Sequence, residues 1–425
     1  MNDPQLLPVV FPQEGPAGLS ERLYKVLKEA LSGVQYVVLT TAEEAGQYFL
    51  KAERPEGRYL PVLFVIALGR DGVNLEYMKV LRLLRRERRL LDGCAGGVIT
   101  DGESDLYTKS VSRELVFTAN QAGCAFVGRP LVEGTRTLSN FAVVAQILST
   151  DEETAYRRSA AQLVREILLF SRRGDTAESH LLGSGSSVHT TEPEILPGEE
   201  SGASIGEESI TETGDKSVTA AGEEGLSGPP RRKLLVLHAS IRKTSNTLAI
   251  WNRAEEYLRD DPIEIRTISL QNGTLYDCAG CPYSTCLHYG EQGSCFYGGI
   301  MAEEVYPAVR EADALVMLCA NYNDALAANL TAFINRLTAL FRQVRFYDKA
   351  LFAVVVSGYS GSDIVAEQLI AALNMNKTFY LPPRFALLET ANNAGQALTL
   401  DGIEERISAF ADNIRKTLTA APVKS

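Results

Sequence analysis

The hydrophobic positions in the second half of the chain alternate between short apolar runs and longer amphipathic stretches. The runs of strand length are RRKLLVLHAS, IEIRTISL, DALVMLCANY, ALFAVVVSGYSG and RFALLET. Between them, stretches such as SNTLAIWNRAEEYLRD and ANLTAFINRLTALF carry apolar residues at helical spacing. This alternation predicts an α/β fold with a doubly wound parallel sheet and helices on both faces. In such a sheet the ligand lies outside the carboxyl ends of the strands.

The first half repeats this order with shorter connections. Its predicted strands are LLPVVFP, VQYVVLTT, LPVLFVIAL, CAGGVITDG and CAFVGRP. The two halves match best in the middle, where a helix rich in Leu and Arg precedes CAGGVITDG in one half and INRLTALFRQV precedes ALFAVVVSGYSG in the other. We interpret this as a tandem duplication of one fold. Two unrelated α/β domains remain the alternative.

An acidic segment separates the halves. Residues 174–230 hold twelve Asp or Glu, one Lys and no aromatic residue, which accounts for the whole net charge of −11. Such a composition buries too little apolar surface to offset the entropy of ordering. We therefore predict a domain at residues 1–173, a disordered acidic Gly/Ser/Glu linker at 174–230 and a second domain at 231–420.

Composition narrows the class of protein. The chain is 45% apolar and 22% charged, as in globular proteins, and no apolar run approaches the roughly 20 residues that span a bilayer. Seven cysteines in 425 residues do not form a secreted disulfide framework. Neither half has the basic excess of a nucleic-acid binder. We expect a cytoplasmic protein that binds neither membrane nor nucleic acid.

The first β-α turn of the second half, HASIRKTSNT, is a potential phosphate loop. Backbone N–H groups and the helix dipole at the start of a helix favour an anion. A capped helix in a polar turn is the alternative, because the turn has neither of the glycine-rich phosphate motifs. Hydroxyls and charges are available from Ser240, Arg242, Lys243, Ser245 and Thr247.

This turn resembles the FMN-phosphate loop G-S-P-R-K-x-G-N-T of the flavodoxin-like NAD(P)H-dependent FMN reductases. Five of its residues match without a gap, whereas Ala239, Ile241 and Ser245 replace Gly, Pro and Gly. The resemblance implies that FMN is the cofactor and NAD(P)H a substrate. It assigns the phosphate to Ser240, Arg242, Ser245, Asn246 and Thr247.

Two further blocks carry the resemblance. The run from Ala320 to Arg336 resembles P-N-Y-x5-P-A-x-L-K-x-F-I-D-R with one residue fewer in the spacer, and Ala320, Thr331 and Asn335 replace Pro, Lys and Asp. These losses put FMN affinity and oligomer geometry in question. A third block follows the next strand. The resemblance implies that the flavin ring is framed by Ala320, Asn321, Tyr322, Asn323, Ser357, Gly358, Tyr359 and Gly361, with Tyr322 as the candidate catalytic aromatic residue.

Four cysteines lie in one loop, at Cys278, Cys281, Cys286 and Cys295. A C-x2-C pair can bring two thiolates to one tetrahedral centre, as zinc and iron–sulfur sites require. In the family that this domain resembles, the iron–sulfur flavoproteins carry a more closely spaced four-cysteine motif at this point of the fold. Many other relatives keep similar cysteines without a cluster. Three interpretations stay open: a 4Fe–4S cluster, zinc, or packed or redox-labile thiols.

The first half lacks the phosphate-loop pattern. Its equivalent turn, FPQEGPAGLSERL, has no Asn-Thr pair and carries Glu14, whose negative charge opposes a phosphate. We predict a degenerate flavodoxin-like copy without a cofactor site, which serves structure or dimerisation. The resulting assembly is a homodimer or an intrachain pseudo-dimer.

The resemblance predicts an FMN-dependent NAD(P)H oxidoreductase of the flavin or quinone reductase type. Its electron acceptor is a small molecule or a protein. One alternative is an iron–sulfur flavoprotein that transfers electrons between FMN, a 4Fe–4S cluster and a protein partner. The other is a non-catalytic scaffold of two flavodoxin-like domains.

Overall fold

The computed structural model describes residues 6–13, 20–172, 231–242, 244–271, 273 and 275–420. The predicted linker, Glu14 and Lys243 lie outside these ranges. Within them the chain forms two α/β halves, each built on a five-stranded parallel sheet. None of the helices in these ranges is long and apolar enough to cross a bilayer.

The N-terminal sheet has the strand order β2-β1-β3-β4-β5. Its strands are β1 Leu7–Val10, β2 Tyr36–Leu39, β3 Leu60–Leu68, β4 Cys94–Gly102 and β5 Cys124–Gly134. The helices of this half are α1 Glu21–Ala30, α2 Ala42–Lys51, α3 Leu75–Arg86, α4 Thr108–Gln121, α5 Ala142–Ile147 and α6 Glu152–Ser171.

The C-terminal sheet has the same order, β7-β6-β8-β9-β10. Its strands are β6 Arg232–His238, β7 Ile263–Ser269, β8 Ala314–Ala320, β9 Ala350–Ser357 and β10 Ala386–Thr390. Its α-helices are α7 Asn246–Leu258, α8 Tyr283–Glu291, α9 Tyr306–Glu311, α10 Ala328–Phe341, α11 Ser362–Leu369 and α12 Ile403–Ala420. Two π-helical turns, Met301–Val305 and Ile370–Met375, precede α9 and extend α11.

This strand order, 2-1-3-4-5 with every pair parallel, confirms the predicted flavodoxin-like fold in both halves. The ten predicted strands are all present, because strands buried on both faces read as continuous apolar runs. Every residue of β4 and of β9 is buried. The shared order is consistent with a duplication. Helix α8, inside the cysteine loop, was not predicted because its apolar residues have no helical period.

Helix starts are fixed by side-chain caps. In five helices a side-chain oxygen of the residue before the first turn accepts a backbone N–H three residues further on, which satisfies a group that the helix itself leaves unpaired. The capping residues are Ser20, Thr41, Asn74, Asp151 and Ser245.

The two halves meet edge to edge within one chain. Phe126 of β5 and Leu381, just before β10, exchange both backbone hydrogen bonds, each with an N–O distance of 2.9 Å. Each residue lies at the outer edge of its own sheet, where backbone groups would otherwise lack partners. The two halves therefore contact each other within one chain, which is consistent with the predicted homodimer or intrachain pseudo-dimer.

Buried amides and a close backbone approach hold this interface. The Asn120 side chain, at the end of α4, donates to the carbonyl oxygens of Cys124 (2.9 Å) and Pro382 (2.7 Å). Gly128 lies so close to the other half that a Cβ there would be 2.1 Å from the Thr378 carbonyl oxygen. A larger residue at 128 would push the halves apart.

We expect Asn120→Ala to lower the thermal midpoint of the full chain. The substitution leaves buried carbonyl groups in both halves without a donor, at a cost of about 2–4 kcal/mol. Asn376→Ala is the control, because the exposed Asn376 side chain bonds only within its own half, to Ala371. Equal midpoints for the two variants would contradict a role for Asn120 in joining the halves.

Candidate functional site

A cleft opens at the carboxyl ends of β6 and β8, where a doubly wound sheet places its ligand. Its enclosed part has a volume of about 20 Å³, and the remainder is open to solvent. Four predicted site residues line it, and the remaining lining residues had not been assigned to the site, although several of them lie within the same sequence blocks. The lining residues are His238, Ala239, Ser240, Thr247, Leu248, Leu318, Ala320, Tyr322, Ala327 and Leu330.

The predicted phosphate loop borders this cleft. Thr247 is buried, Ser240 is half-buried and Arg242 is exposed. Ser245 caps α7, its Oγ accepting the N–H of Leu248 at 3.5 Å. The loop thus combines hydroxyl groups with the free N–H groups of a helix start, which together suit an anion.

The Asn246 side chain has structural partners. Its Nδ2 donates to the carbonyl oxygens of Ala391 (3.1 Å) and Asn393 (2.9 Å), and its Oδ1 accepts the N–H of Ala397 (3.3 Å). The side chain therefore fastens the loop to the segment after β10. What Asn246 can offer a phosphate in this arrangement is its backbone N–H.

Asn321 joins the second and third predicted blocks. Its Nδ2 donates to Ser357 Oγ (3.0 Å), the Ser360 carbonyl oxygen (2.9 Å) and Asp324 Oδ1 (3.1 Å). Asn323 and Asp324 both adopt positive φ, 54° and 56°, in the tight turn that follows. The amide thus fixes the loop after β8 against the loop after β9.

Glycine is required at the end of the third block. Gly361 has φ of 85°, and a Cβ there would be 2.0 Å from Asp324 Oδ1. Ser357 is fully buried, with its Oγ 2.7 Å from Ser362 Oγ. These contacts hold the loop close to the preceding turn, as a frame for a bound group requires.

Two aromatic side chains stand at the open side of this frame. Tyr322 is 60% exposed and Tyr359 is 82% exposed. The Tyr359 hydroxyl accepts a hydrogen bond from Asn392 at 3.0 Å, and Gly358 lies beside the same Asn392 side chain. Large rings left in water at a cleft are available for contact with a planar ligand.

Polar atoms without partners converge on the same edge of the sheet. Within the described part of the chain, the buried atoms His238 Nδ1, Ser269 Oγ and Asn321 Oδ1 have no hydrogen-bond partner. These residues end β6, end β7 and follow β8. Burial also lowers the pKa of His238, which favours its neutral ring. Buried polar atoms are nearly always paired in native proteins, so these three atoms are available to a polar ligand.

The four cysteines do not come together. Cys278 is exposed, whereas Cys281, Cys286 and Cys295 are half-buried, and Cys286 lies on α8. Across the described ranges, no three Cys, His, Asp or Glu side chains form a group that could hold a metal. In this arrangement the residues do not fit a cluster, and the iron–sulfur and zinc sites stay predictions.

Two of these cysteines pack inward. Cys286 and Cys295 contact the hydrophobic core of the C-terminal half. Burial raises the pKa of the neighbouring Tyr306, and the nearby Cys295 thiol adds to the rise. The Tyr306 hydroxyl donates to the Arg336 carbonyl oxygen at 2.7 Å. This geometry agrees with the interpretation of packed thiols.

The N-terminal half has an ion pair at the same edge of its sheet. Arg22 Nε donates to Asp101 Oδ2 at 2.9 Å, and Arg22 Nη2 donates to Asp101 Oδ1 at 3.0 Å. The guanidinium also donates to the carbonyl oxygens of Thr135 and Arg136. Burial raises the pKa of Asp101, against the opposing effect of Arg22.

This ion pair occupies positions that correspond to the cleft of the other half. Arg22 is the second residue of α1, as Thr247 is of α7. Asp101 is the last residue but one of β4 and precedes Gly102, and Ser357 ends β9 and likewise precedes a glycine, Gly358. The two halves therefore place an internal ion pair and a pair of hydroxyls at equivalent points.

A flavodoxin-like sheet with a polar cleft at its carboxyl ends is typical of cofactor-binding α/β domains. Residues 232–393 match the family described as NADPH-dependent FMN reductase. The C-terminal half is thus similar to this family of flavin-dependent oxidoreductases. No curated protein sequence matches the chain.

Several solved structures are similar at low identity. An NAD(P)H:quinone oxidoreductase from Methanothermobacter marburgensis is 13% identical, with 44% of this chain and 98% of that chain covered and a TM-score of 0.34. An FMN-dependent NADH-azoreductase from Bacillus anthracis is 11% identical, with 43% and 99% covered and a TM-score of 0.32. These scores carry no conclusion beyond the family match.

We expect Asn246→Ala to lower the thermal midpoint of the flavin-free protein by weakening the hold on residues 391–397. Three hydrogen bonds are lost, and the loss costs only about 1–3 kcal/mol because the bonds are exposed or partly buried. Asn335→Ala, which removes a single exposed bond to Asp277, is the control. A variant as stable as the parent would show that Asn246 has no structural role.

We expect Arg22→Met to destabilise the chain by about 3 kcal/mol at neutral pH, because it leaves Asp101 buried without its partner. The folded-state pKa of Asp101 then lies further above the unfolded value. Proton binding therefore favours the folded state at low pH, and this stability is lost as pH rises through the folded pKa. Chemical denaturation at pH 5 and pH 8 should show the larger loss at pH 8.

The control for this prediction is Lys25→Met on the same helix. Lys25 pairs with Glu21 at the surface, and the side chains are 48% and 83% exposed. We expect no change in stability with pH beyond that of the parent. A loss in Arg22→Met that does not depend on pH would contradict the assignment to Asp101.

Proposed function

We propose that the protein is an FMN-dependent NAD(P)H oxidoreductase of the flavin or quinone reductase type, with FMN bound at the carboxyl edge of the C-terminal sheet. The observation that carries this proposal is the set of unpartnered buried polar atoms at His238, Ser269 and Asn321, beside a cleft in the region of the family match. The protein acts in the cytoplasm on a small-molecule or protein electron acceptor.

In this proposal the phosphate group is held at the start of α7. Ser240, Ser245 and Thr247 donate hydroxyl hydrogen bonds, Arg242 supplies positive charge, and the Asn246 backbone adds an N–H group. Arg242 is exposed and free to fold over an anion. Asn246, through its side chain, keeps the loop in the conformation that presents these donors.

The loops after β8 and β9 frame the flavin ring. Bound FMN supplies the hydride and electron chemistry, and the protein supplies position and surroundings. Asn321 holds the two loops together, which keeps the residues from Ala320 to Asn323 and from Ser357 to Gly361 in register. Tyr322 covers one side of the cleft and limits the access of water.

The N-terminal half binds no FMN in this proposal. The Arg22–Asp101 pair lies where the other half has the hydroxyl groups of Thr247 and Ser357, and Asp101 repels a phosphate. An ion pair that already satisfies its own hydrogen bonds has little to gain from a ligand. This half serves as the structural partner of the flavin domain.

We expect one FMN per chain, measured by quenching of flavin fluorescence. Ser240→Ala and Thr247→Val should each weaken binding roughly tenfold, because each removes a hydrogen bond to a charged group. Thr419→Val, exposed in the last turn of α12, should bind as the parent does. Two FMN per chain would overturn the assignment of the N-terminal half, and no binding would favour the scaffold.

Iron and acid-labile sulfide, assayed on anaerobically purified protein, test the iron–sulfur alternative. About four irons per chain would support electron transfer between FMN, a cluster and a protein partner. That result would also require the four-cysteine loop to rearrange, since its thiols are apart in this arrangement. Flavin without iron supports the reductase with packed thiols.

A further inference from the structure

The contact between the halves obeys a local two-fold symmetry. Phe126 and Leu381 bond to each other reciprocally. The Asn120 side chain donates to the carbonyl oxygen two residues before Phe126 and to that of the residue after Leu381. Asn374 does the converse, donating to the carbonyl oxygen two residues before Leu381 and to that of the residue after Phe126. Each half therefore offers the other the same set of backbone groups, as two copies of one domain would.

Backbone conformation supports this correspondence. Arg129 lies three residues after Phe126 and has φ of 54°, while Arg384 lies three residues after Leu381 and has φ of 50°. Such values are uncommon for residues other than glycine. The same unusual bend at the same distance from the contact shows that the two edges are equivalent positions of a repeated fold.

The side chains at equivalent positions are not the same, however. Arg113 lies seven residues before Asn120 on α4, and Glu367 lies seven residues before Asn374 on α11. They meet across the local two-fold, with 2.9 Å between Arg113 Nε and Glu367 Oε2. One half thus carries a cation where the other carries an anion.

A symmetric pair of either half would lose this complementarity. Two C-terminal halves joined through the same edge would set Glu367 against a second Glu367, and two N-terminal halves would oppose arginines. Glu367 is half-buried, and burial already raises its pKa, so a second carboxylate there would be poorly screened. Arg113 counters that rise in the native pair.

We propose that the Arg113–Glu367 pair selects the partner of each half. The edge of the C-terminal half could pair with the same edge of a second chain. The ion pair instead favours its pairing with the N-terminal half of its own chain. Like charges at the symmetric position disfavour pairing of C-terminal halves between chains, which is specificity by repulsion as well as attraction. Covalent linkage adds a high local concentration to the same choice. This proposal does not depend on flavin binding.

The test removes the covalent linkage between the two halves, so that the charges at positions 113 and 367 determine which halves pair. A protease site inserted between residues 174 and 230 allows the folded chain to be cut once. Nicked Arg113→Glu and nicked Glu367→Arg are mixed in mild urea, which lets the halves exchange, and native mass spectrometry counts the pairs after removal of urea. Labelled and unlabelled nicked parent, mixed in the same way, establish that exchange reaches equilibrium.

We expect the cross pairs, which unite an N-terminal half of one variant with a C-terminal half of the other, to exceed the parental pairs roughly three- to tenfold. One cross pair carries both substitutions and therefore has the two charges reversed, whereas the other carries neither and has the native charges. Each parental pair instead opposes two like charges.

The control is a mixture of Arg253→Glu and Glu404→Arg, one of them isotopically labelled, since the Arg253–Glu404 pair lies within one half. The N-terminal and C-terminal halves in this mixture should recombine at random, with no preference for cross pairs over parental pairs. Statistical sorting of the interface variants, or pairs of two C-terminal halves from the nicked parent, would overturn the proposal.

The milder variants Arg113→Gln and Glu367→Gln guard against loss of folding, because both keep hydrogen-bonding side chains. Mixed with each other, they oppose no like charges, so the preference for cross pairs should fall below about twofold. A preference as large as that of the charge-reversed variants would contradict the role of repulsion. A thermal midpoint for each variant confirms that the sorted halves are folded.

Discussion

A parallel sheet covered by helices on both faces still has two edges with unpaired backbone groups, and this structure depends on how one of those edges is closed. Phe126 and Leu381 join this edge to the other half with a reciprocal pair of hydrogen bonds, and the two buried asparagines beside them each donate to a carbonyl group of the opposite half. Hydrogen bonds fix the register of the contact, and Gly128 sets its closeness. The two halves consequently share a boundary that resembles the interior of one domain.

At the carboxyl ends of the strands, by contrast, the sheet leaves polar groups facing a cleft instead of pairing them with another part of the chain. The C-terminal half keeps several of them unpaired, and Asn321 and Asn246 fix the surrounding loops by bonds to distant backbone. The N-terminal half joins Arg22 to Asp101 at the corresponding points. One fold therefore has two solutions for the same exposed edge: a ligand, or an ion pair of its own.

Sequence was sufficient for the fold and for part of the site. Apolar runs predict the central strands because both of their faces are buried, β2 and β7 were recognised from shorter or alternating apolar patterns, and the turn motif places Ser240 and Thr247 at the cleft. Contacts between residues that are far apart along the chain could not be predicted from the sequence. The partners of Asn246 lie more than a hundred residues away, and nothing in the chain relates Arg22 to Asp101 before folding. His238 ends a strand without any motif, so only its burial without a partner singles it out.

The Arg22–Asp101 pair has a consequence for the molecule as a whole. A domain completed by a ligand gains stability with the logarithm of the ligand concentration, whereas a domain that satisfies its own polar groups does not respond to supply. Under the proposed function, the N-terminal half does not respond to the cofactor and offers the same surface at all times. The C-terminal half can then still fold against that surface when FMN is scarce.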